Sequence, residues 1–496
     1  MRIVVAAALL TWRGAALAGG DQALIEAARA GDHQAAAALI EQKADVNATM
    51  SDGTTALHWA AHHADVDLVK RLLKAGAQAG ARNEYGATPM QEAAEQGAAA
   101  VITLLLKAGA DVESPNREGQ TALMTVARSN HVDAAKALLA HGANVNAKEQ
   151  WRSQTALMWA SAQSQPEMVK LLIKHGANVN ERSAIREWPR YVTAEPRAQS
   201  RPKGGLTPLL FAAREGCAAC AKALVDARAD INLSDPDAIS PLLMATLNAR
   251  WDVAAYLISA KADVNKWDAW GRAPLYSAVD YNTVPRGGRP DRPSLDKTTA
   301  IEIVEKLLKA GANPNMQLKL FPPYRALGPD RGGDSMLTVG TTPLLRAAKA
   351  GDAASIKLLL KYGASPNVPN SMGITPLMAA AGLGSNNIDT RARFRNEQEC
   401  VEAAKLILAA GGELNAQRDN GQAAIHGAAL WGWNDFVQWL ADSGAQLDAK
   451  DKNGNTALDI AEGKAGGTGR IASATLEPRP ETVKLLKQLL QAKQAG

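Results

Sequence analysis

Three groups of residues in this 496-residue chain have types and spacings that chemistry uses. Cys217 and Cys220 form a CxxC pair within Gly216-Cys217-Ala218-Ala219-Cys220. At the start of a helix such a pair supports either a local disulfide or a reactive thiol, because a helix N-terminus lowers thiol pKa. No second CxxC follows to complete a zinc site, and no His follows Cys220 for covalent haem attachment. A redox-linked role through Cys217 and Cys220 therefore stands beside a purely structural bridge. Cys400 reads as a buried core cysteine. His58, His62 and His63 sit within one short helical stretch, close enough for two imidazoles to share a metal. His58, however, falls in a motif that recurs along the chain, which favours a role in bonding backbone; His426 occupies the same place. No metal and no cofactor is indicated.

The third group is aromatic. The chain has 11 Trp, 7 Tyr and only 4 Phe, so each ring stands out against a background of Ala, Leu, Val and Ile. Tyr85 and Trp270 directly precede a turn glycine, with Trp151 and Trp267 close by. Rings on exposed turns are the commonest anchors of protein interfaces; stacking against an adjacent turn is the other reading. Trp59 and Trp159 hold equivalent places in helices and are expected between helices. Trp431, Trp433 and Trp439 are expected to pack together. Catalytic triads, phosphate-binding loops and HExxH are absent from the sequence, so an enzyme is not expected.

The elements that position these residues are set by a repeat. The anchors Gln22, Thr55, Thr88 and Thr121 step by 33 residues, and Thr155 follows at 34. The runs Thr207, Ser240, Ala273, then Thr342, Thr375, and finally Ala423, Thr456 keep the 33-residue step. Thr or Ser before Pro or Ala caps the free N–H groups of a helix start, and Pro suits the first helical position. Leu and paired Ala then form a buried stripe. A second helix follows, such as Val69-Lys70-Arg71-Leu72-Leu73-Lys74, and ends on Gly-Ala. That Gly takes the left-handed conformation that stops a helix. Lys43, Arg228 and Lys261 replace it in three repeats, at a cost of about 1 kcal/mol each.

These residues closely resemble the ankyrin repeat family. The 33-residue period, the Thr-Pro-Leu-His-like anchor, the leucine-rich second helix and the Gly-Ala end all match, over roughly residues 21–496. The resemblance implies an all-α solenoid of about twelve helix-turn-helix repeats with finger turns. It also implies a binding module whose concave face, made of finger tips and first helices, meets a protein partner. Residues 19–180 are read as repeats 1–5 and residues 205–496 as repeats 6–12. Five insertions interrupt the array, at 181–204, 283–299, 316–339, 385–399 and 463–480. The long, interrupted array also resembles exported bacterial ankyrin proteins without a known activity.

Charge is concentrated in the insertions. They sum to +8 against +5 for the whole chain, and 181–204 alone holds six Lys/Arg against three Glu. This composition fits an anionic partner or simply solvated loop ends. Without a dense basic run, nucleic acid is not indicated. No apolar run is long enough to span a membrane, and a monomer is expected. Residues 1–18 read as an export signal: Arg2, an apolar run from Ile3 to Trp12, then Ala16-Leu17-Ala18 as a cleavage site. Arg13 departs from that pattern, and a helical cap on the first repeat is the other reading. An exported protein of a bacterial periplasm is expected, or a secreted effector that binds a host protein.

Overall fold

The computed structural model describes residues 21–192, 199–282, 295–320, 338–384, 396–464 and 477–495. The expected signal, 1–18, lies outside the described residues, as does part of every insertion. The chain divides into two compact units. The first comprises residues 1–186 and 204–230, and the second residues 187–203 and 231–496.

Each unit is built from pairs of short antiparallel helices. In the first unit α1 (residues 21–30) leads into α2 (His33–Glu41), followed by α3 (Ala56–His62), α4 (Val66–Lys74), α5 (Pro89–Glu95) and α6 (Ala99–Lys107). Then come α7 (Ala122–Arg128), α8 (Val132–Ala140), α9 (Ala156–Ala162), α10 (Pro166–Lys174), α11 (Pro208–Glu215) and α12 (Ala218–Asp226). First helices pack on first helices, in the order α3, α5, α7, α9, α11. Second helices form a parallel row, α2, α4, α6, α8, α10, α12. The second unit repeats this pattern with α13 (Pro241–Leu247), α15 (Pro274–Asn282), α17 (Pro343–Ala350), α19 (Pro376–Ala380), α21 (Ala424–Trp431) and α23 (Ala457–Ala461). Its second row is α14 (Trp251–Ser259), α16 (Ala300–Lys309), α18 (Ala353–Lys361), α20 (Glu397–Ala409), α22 (Asn434–Asp442) and α24 (Pro480–Ala495).

The local chemistry explains the short helices. Thr88, Thr121, Thr155, Thr207, Ser240, Thr342 and Thr375 each accept the N–H three residues on, and Pro fills the first position in five of these helices. The buried faces are mostly Ala and Leu. Gly427 shows how close the packing is: a Cβ there would stand 2.7 Å from Ala381 O and Leu383 N. Left-handed backbone closes the second helices, including Lys43, Arg228 and Lys261 at φ 63°, 67° and 68°. A second left-handed position, between the two helices of a repeat, carries Ala64, Asn130, Ser164 and Ala249 where other repeats have Gly31, Gly97 and Gly216.

Polar side chains bind one repeat to the next. Asn47 donates to Gly76 O at 3.0 Å and accepts Gln78 N–H at 2.8 Å. Asn146, Asn265, Asn315, Asn367 and Asn415 do the same toward Gly176, Gly311, Gly363, Gly411 and Gly444. His58 takes Thr55 N–H on Nδ1 at 3.2 Å, which leaves the Nε2 proton for Ala87 O at 3.2 Å. His426 likewise takes Ala423 N–H at 3.0 Å.

One element departs from an all-helical reading. Insertion 181–204 forms β1 (Ile185–Val192) and β2 (Gln199–Gly204), hydrogen-bonded in a two-stranded sheet. Its sequence offers the β-favouring Ile185, Tyr191 and Val192, but the repeat arithmetic identifies it only as extra length.

Candidate functional site: the finger tips

The fingers join successive repeats, and in several of them, those that start at Asn83, Asn116, Glu149, Asp235, Asp268, Asn370 and Asp451, that one side chain holds the tip. Asn83 Oδ1 accepts Tyr85 N–H at 3.1 Å and Ala87 N–H at 2.9 Å. Asp268 Oδ1 accepts Trp270 N–H at 3.0 Å and Arg272 N–H at 2.9 Å. The finger before Thr155 carries the extra residue of the 34-residue step. There the longer Glu149 does the work, accepting N–H from Trp151, Arg152 and Gln154 at 2.6, 2.7 and 2.9 Å. Glu149 is buried, as is Asp268, so both carboxylates are matched to backbone donors.

Neighbouring fingers are tied by single backbone hydrogen bonds. In the first unit these are Glu84 N–H to Asp52 O (2.8 Å), Gln150 N–H to Glu118 O (2.9 Å) and Ala184 N–H to Arg152 O (2.7 Å). In the second unit Ala269 N–H meets Asp237 O at 2.9 Å and Ser371 N–H meets Val339 O at 2.8 Å. Tips held this way lose little conformational freedom when they bind, which lowers the cost of association.

Three of the four aromatic candidates stand in solvent. Tyr85 is 70% exposed, Trp151 58% and Trp267 41%. Tyr85 and Trp151 lie in the first unit, Trp267 in the second. Trp270 corrects the expectation: it is 2% exposed and offers nothing to a partner. The chain after α16 lies against its finger, with Lys319 and Leu320 N–H donating to Trp270 O at 2.9 and 3.2 Å. Arg272 lies 5.1 Å from its ring centroid while pairing with Asp268 at 2.7 Å.

Two cations that sequence patterning missed complete the tips. The Arg186 guanidinium stacks over Trp151 at 4.2 Å, and Lys319 Nζ lies 3.3 Å from the Trp267 ring centre. Both come from insertions, far along the chain from the ring they cover, so no short-range spacing could reveal them.

The remaining candidates are structural in their surroundings. Cys217 and Cys220 are joined by a disulfide across the first turn of α12, and both are buried. Cys400 is buried. Trp59 and Trp159 are half-buried in first helices, with Arg29 and Arg128 stacked at 5.7 Å. His62 bonds Glu92 at 2.9 Å and His63 bonds Arg29 O at 2.9 Å, so the three histidines point to separate partners. Among the described residues, no group of three His, Cys, Asp or Glu is arranged to hold a metal, and no helix is long and apolar enough to cross a membrane. Trp431, Trp433, Phe436 and Trp439 make consecutive ring contacts at 5.5–6.0 Å, with Trp431 Nε1 donating to Gly382 O at 2.9 Å.

The family described as ankyrin repeats (3 copies) matches residues 24–116, 90–183, 209–318, 296–390 and 392–470. Among individual proteins, human SH3 and multiple ankyrin repeat domains protein 2 is 33% identical over 121 residues, 24% of this chain and 6% of that protein. The Caenorhabditis elegans homolog of transient receptor potential cation channel subfamily A member 1 is 29% identical over 123 residues, 25% of this chain and 9% of that protein. Human cyclin-dependent kinase inhibitor 2A is 32% identical over 120 residues, 24% of this chain and 67% of that protein. The chain thus spans only a small part of the first two relatives. The crystal structure of the human ASB11 ankyrin repeat domain aligns with a TM-score of 0.41 at 25% identity, covering 48% of this chain and 98% of that one.

Proposed function

Because the chain belongs to the ankyrin repeat family, whose repeats are in general protein-interaction modules, we propose that it is a scaffold that binds a protein partner through its finger tips and first helices, the concave face of the repeats. The observation that carries this reading is the exposure of Tyr85, Trp151 and Trp267 on rigidly bonded tips, in a chain with so few rings. A large ring left in water at a site already organised for contact suits an interface anchor.

Crosslinking in the intact cell, followed by identification of what is captured, tests the proposal. Wild type is expected to yield one reproducible protein. The triple variant Tyr85→Ala, Trp151→Ala, Trp267→Ala is expected to lose it by at least tenfold, since anchor truncations cost about 2 kcal/mol or more. Undiminished capture by the triple variant overturns the assignment to the tips.

The disulfide also favours work in an oxidising compartment, outside the cytoplasm. Fractionation of cells and medium tests this; a cytoplasmic protein with both thiols reduced refutes it.

A further inference from the structure

Arginines with no carboxylate partner among the described residues lie at and next to the Trp151 tip. The Arg186 Cζ stands over the indole, 4.2 Å from the ring centroid, and Arg152 is the exposed residue next to Trp151 on the same tip. The start of the insertion is tied to this tip by Ala184 N–H donating to Arg152 O at 2.7 Å, and the Arg182 guanidinium donates to Gly205 O at 2.9 Å. The nearby carboxylates are already engaged. Glu149 is buried and accepts three backbone N–H groups, and Glu181 is bridged by Lys148 at 2.9 Å. Among the described residues no carboxylate pairs with Arg152 or Arg186. A guanidinium held over a ring by cation–π attraction still has N–H donors for a carboxylate, in the fork geometry that receives it. The indole beneath holds that fork in place and strengthens it.

We propose that Trp151, Arg152 and Arg186 form a recognition site for an acidic, extended segment of the protein partner. The inference rests on the scaffold reading and specifies its partner's chemistry. An Asp or Glu side chain would take the Arg186 edge and Arg152, while the neighbouring side chain packs on Trp151. Repeats stack about 8–10 Å apart, so Tyr85, two fingers away, lies on the order of 20 Å off. An extended segment covers that distance in about six residues. An acidic peptide is favoured over a polyanion because the site is a small, shaped fork on an aromatic plate, while Glu118 on the intervening finger and Glu84 beside Tyr85 repel an unbroken run of negative charge but not a segment with neutral side chains at those places.

The probe is a fluorescein-labelled dodecapeptide of alternating Glu and Gly, with the Gln-Gly equivalent as the neutral control. Anisotropy is read on the full chain at low salt. Wild type is expected to bind the Glu peptide and not the Gln peptide. Arg186→Gln, Arg152→Gln and Trp151→Ala are each expected to weaken binding about fivefold. Arg186→Lys, which keeps the charge but not the fork, falls between. Lys174→Gln removes the same charge from an exposed position on α10 and is expected to change nothing. Thermal melts by circular dichroism establish that each variant folds.

Equal losses for Lys174→Gln and Arg186→Gln would mean bulk charge alone and overturn the site. So would absence of binding, or anionic vesicles or oligo-dT binding as tightly with the same dependence on Arg186. The two levels separate in the cell. A partner lost with Tyr85→Ala but indifferent to Arg152→Gln and Arg186→Gln leaves the scaffold standing and refutes the acidic segment. A partner indifferent to every tip variant, with the peptide still bound as expected, refutes the scaffold reading instead.

Discussion

Removing the His58 side chain should both weaken the first unit and flatten its response to acid. His58 is buried and bridges two repeats: Thr55 N–H reaches Nδ1 at 3.2 Å, the Thr55 hydroxyl lies 2.9 Å away, and Nε2 reaches Ala87 O at 3.2 Å. Each such bond contributes about 1 kcal/mol, and truncation also leaves buried groups without partners. His58→Ala is therefore expected to cost about 2–3 kcal/mol, felt most in the repeats built on α3 and α5. Burial also holds the His58 pKa below its ordinary value of 6.5, because the cation is poorly solvated there. The unfolded chain then takes up the proton first as the pH falls. Stability from this group is complete above about pH 6.5 and is lost as the pH drops toward the lower folded value. The slope is at most about 1.4 kcal/mol per pH unit for each such histidine. Burial depresses His426 in the same way, so the second unit carries its own copy of the effect. The assay is urea unfolding from pH 5 to 8 on wild type, His58→Ala and the double variant His58→Ala, His426→Ala, with hydrogen exchange reporting each unit. The double variant should lose most of the slope between roughly pH 5 and 6.5. An unchanged slope would refute the reasoning, since the charge would then be carried elsewhere.

Other outcomes follow from the same geometry. Gly427→Ala should destabilise the second unit by about 1–3 kcal/mol, because the added carbon meets backbone of residues 381–383 rather than a movable side chain; a thermal melt checks it. Lys261→Gly should stabilise by about 0.5–1 kcal/mol, the relief of left-handed strain exceeding the entropy Gly adds to the unfolded chain. Urea midpoints with an unchanged slope would confirm it. Reducing the Cys217–Cys220 disulfide, or replacing both by Ser, should cost about 2 kcal/mol, because the closed loop is very short. Mass spectrometry before and after reduction, paired with melts, reads both the bond and its effect.

Much of the architecture is legible in the residues themselves. The 33-residue step, the Thr and Ser caps, the Pro-started helices and the left-handed Lys43, Arg228 and Lys261 are all local properties, and each is realised as the spacing implies. The role of His58 follows from its place in the anchor motif. Local reading fails where a residue type merely tolerates what its neighbours impose. Ala64, Asn130, Ser164 and Ala249 are left-handed because the turn between paired helices demands it, although only Asn130 among them favours that backbone. The sheet in residues 185–204 belongs to an insertion, where the period carries no information.

The sequence by itself determined the repeat, the helices and the positions of the fingers, since caps, turns and stripes depend on residues a few places apart. Tertiary structure alone decided which rings meet water. Tyr85 and Trp270 hold the same place in their fingers, three residues before the anchor, yet one is exposed and the other buried. The difference is chain that enters an insertion: residues 319–320 bond the Trp270 backbone, while among the described residues no insertion segment bonds the backbone of Tyr85. Exposure depends on what a distant segment covers, and the contacts that place that segment are long-range backbone bonds that no spacing within a repeat encodes.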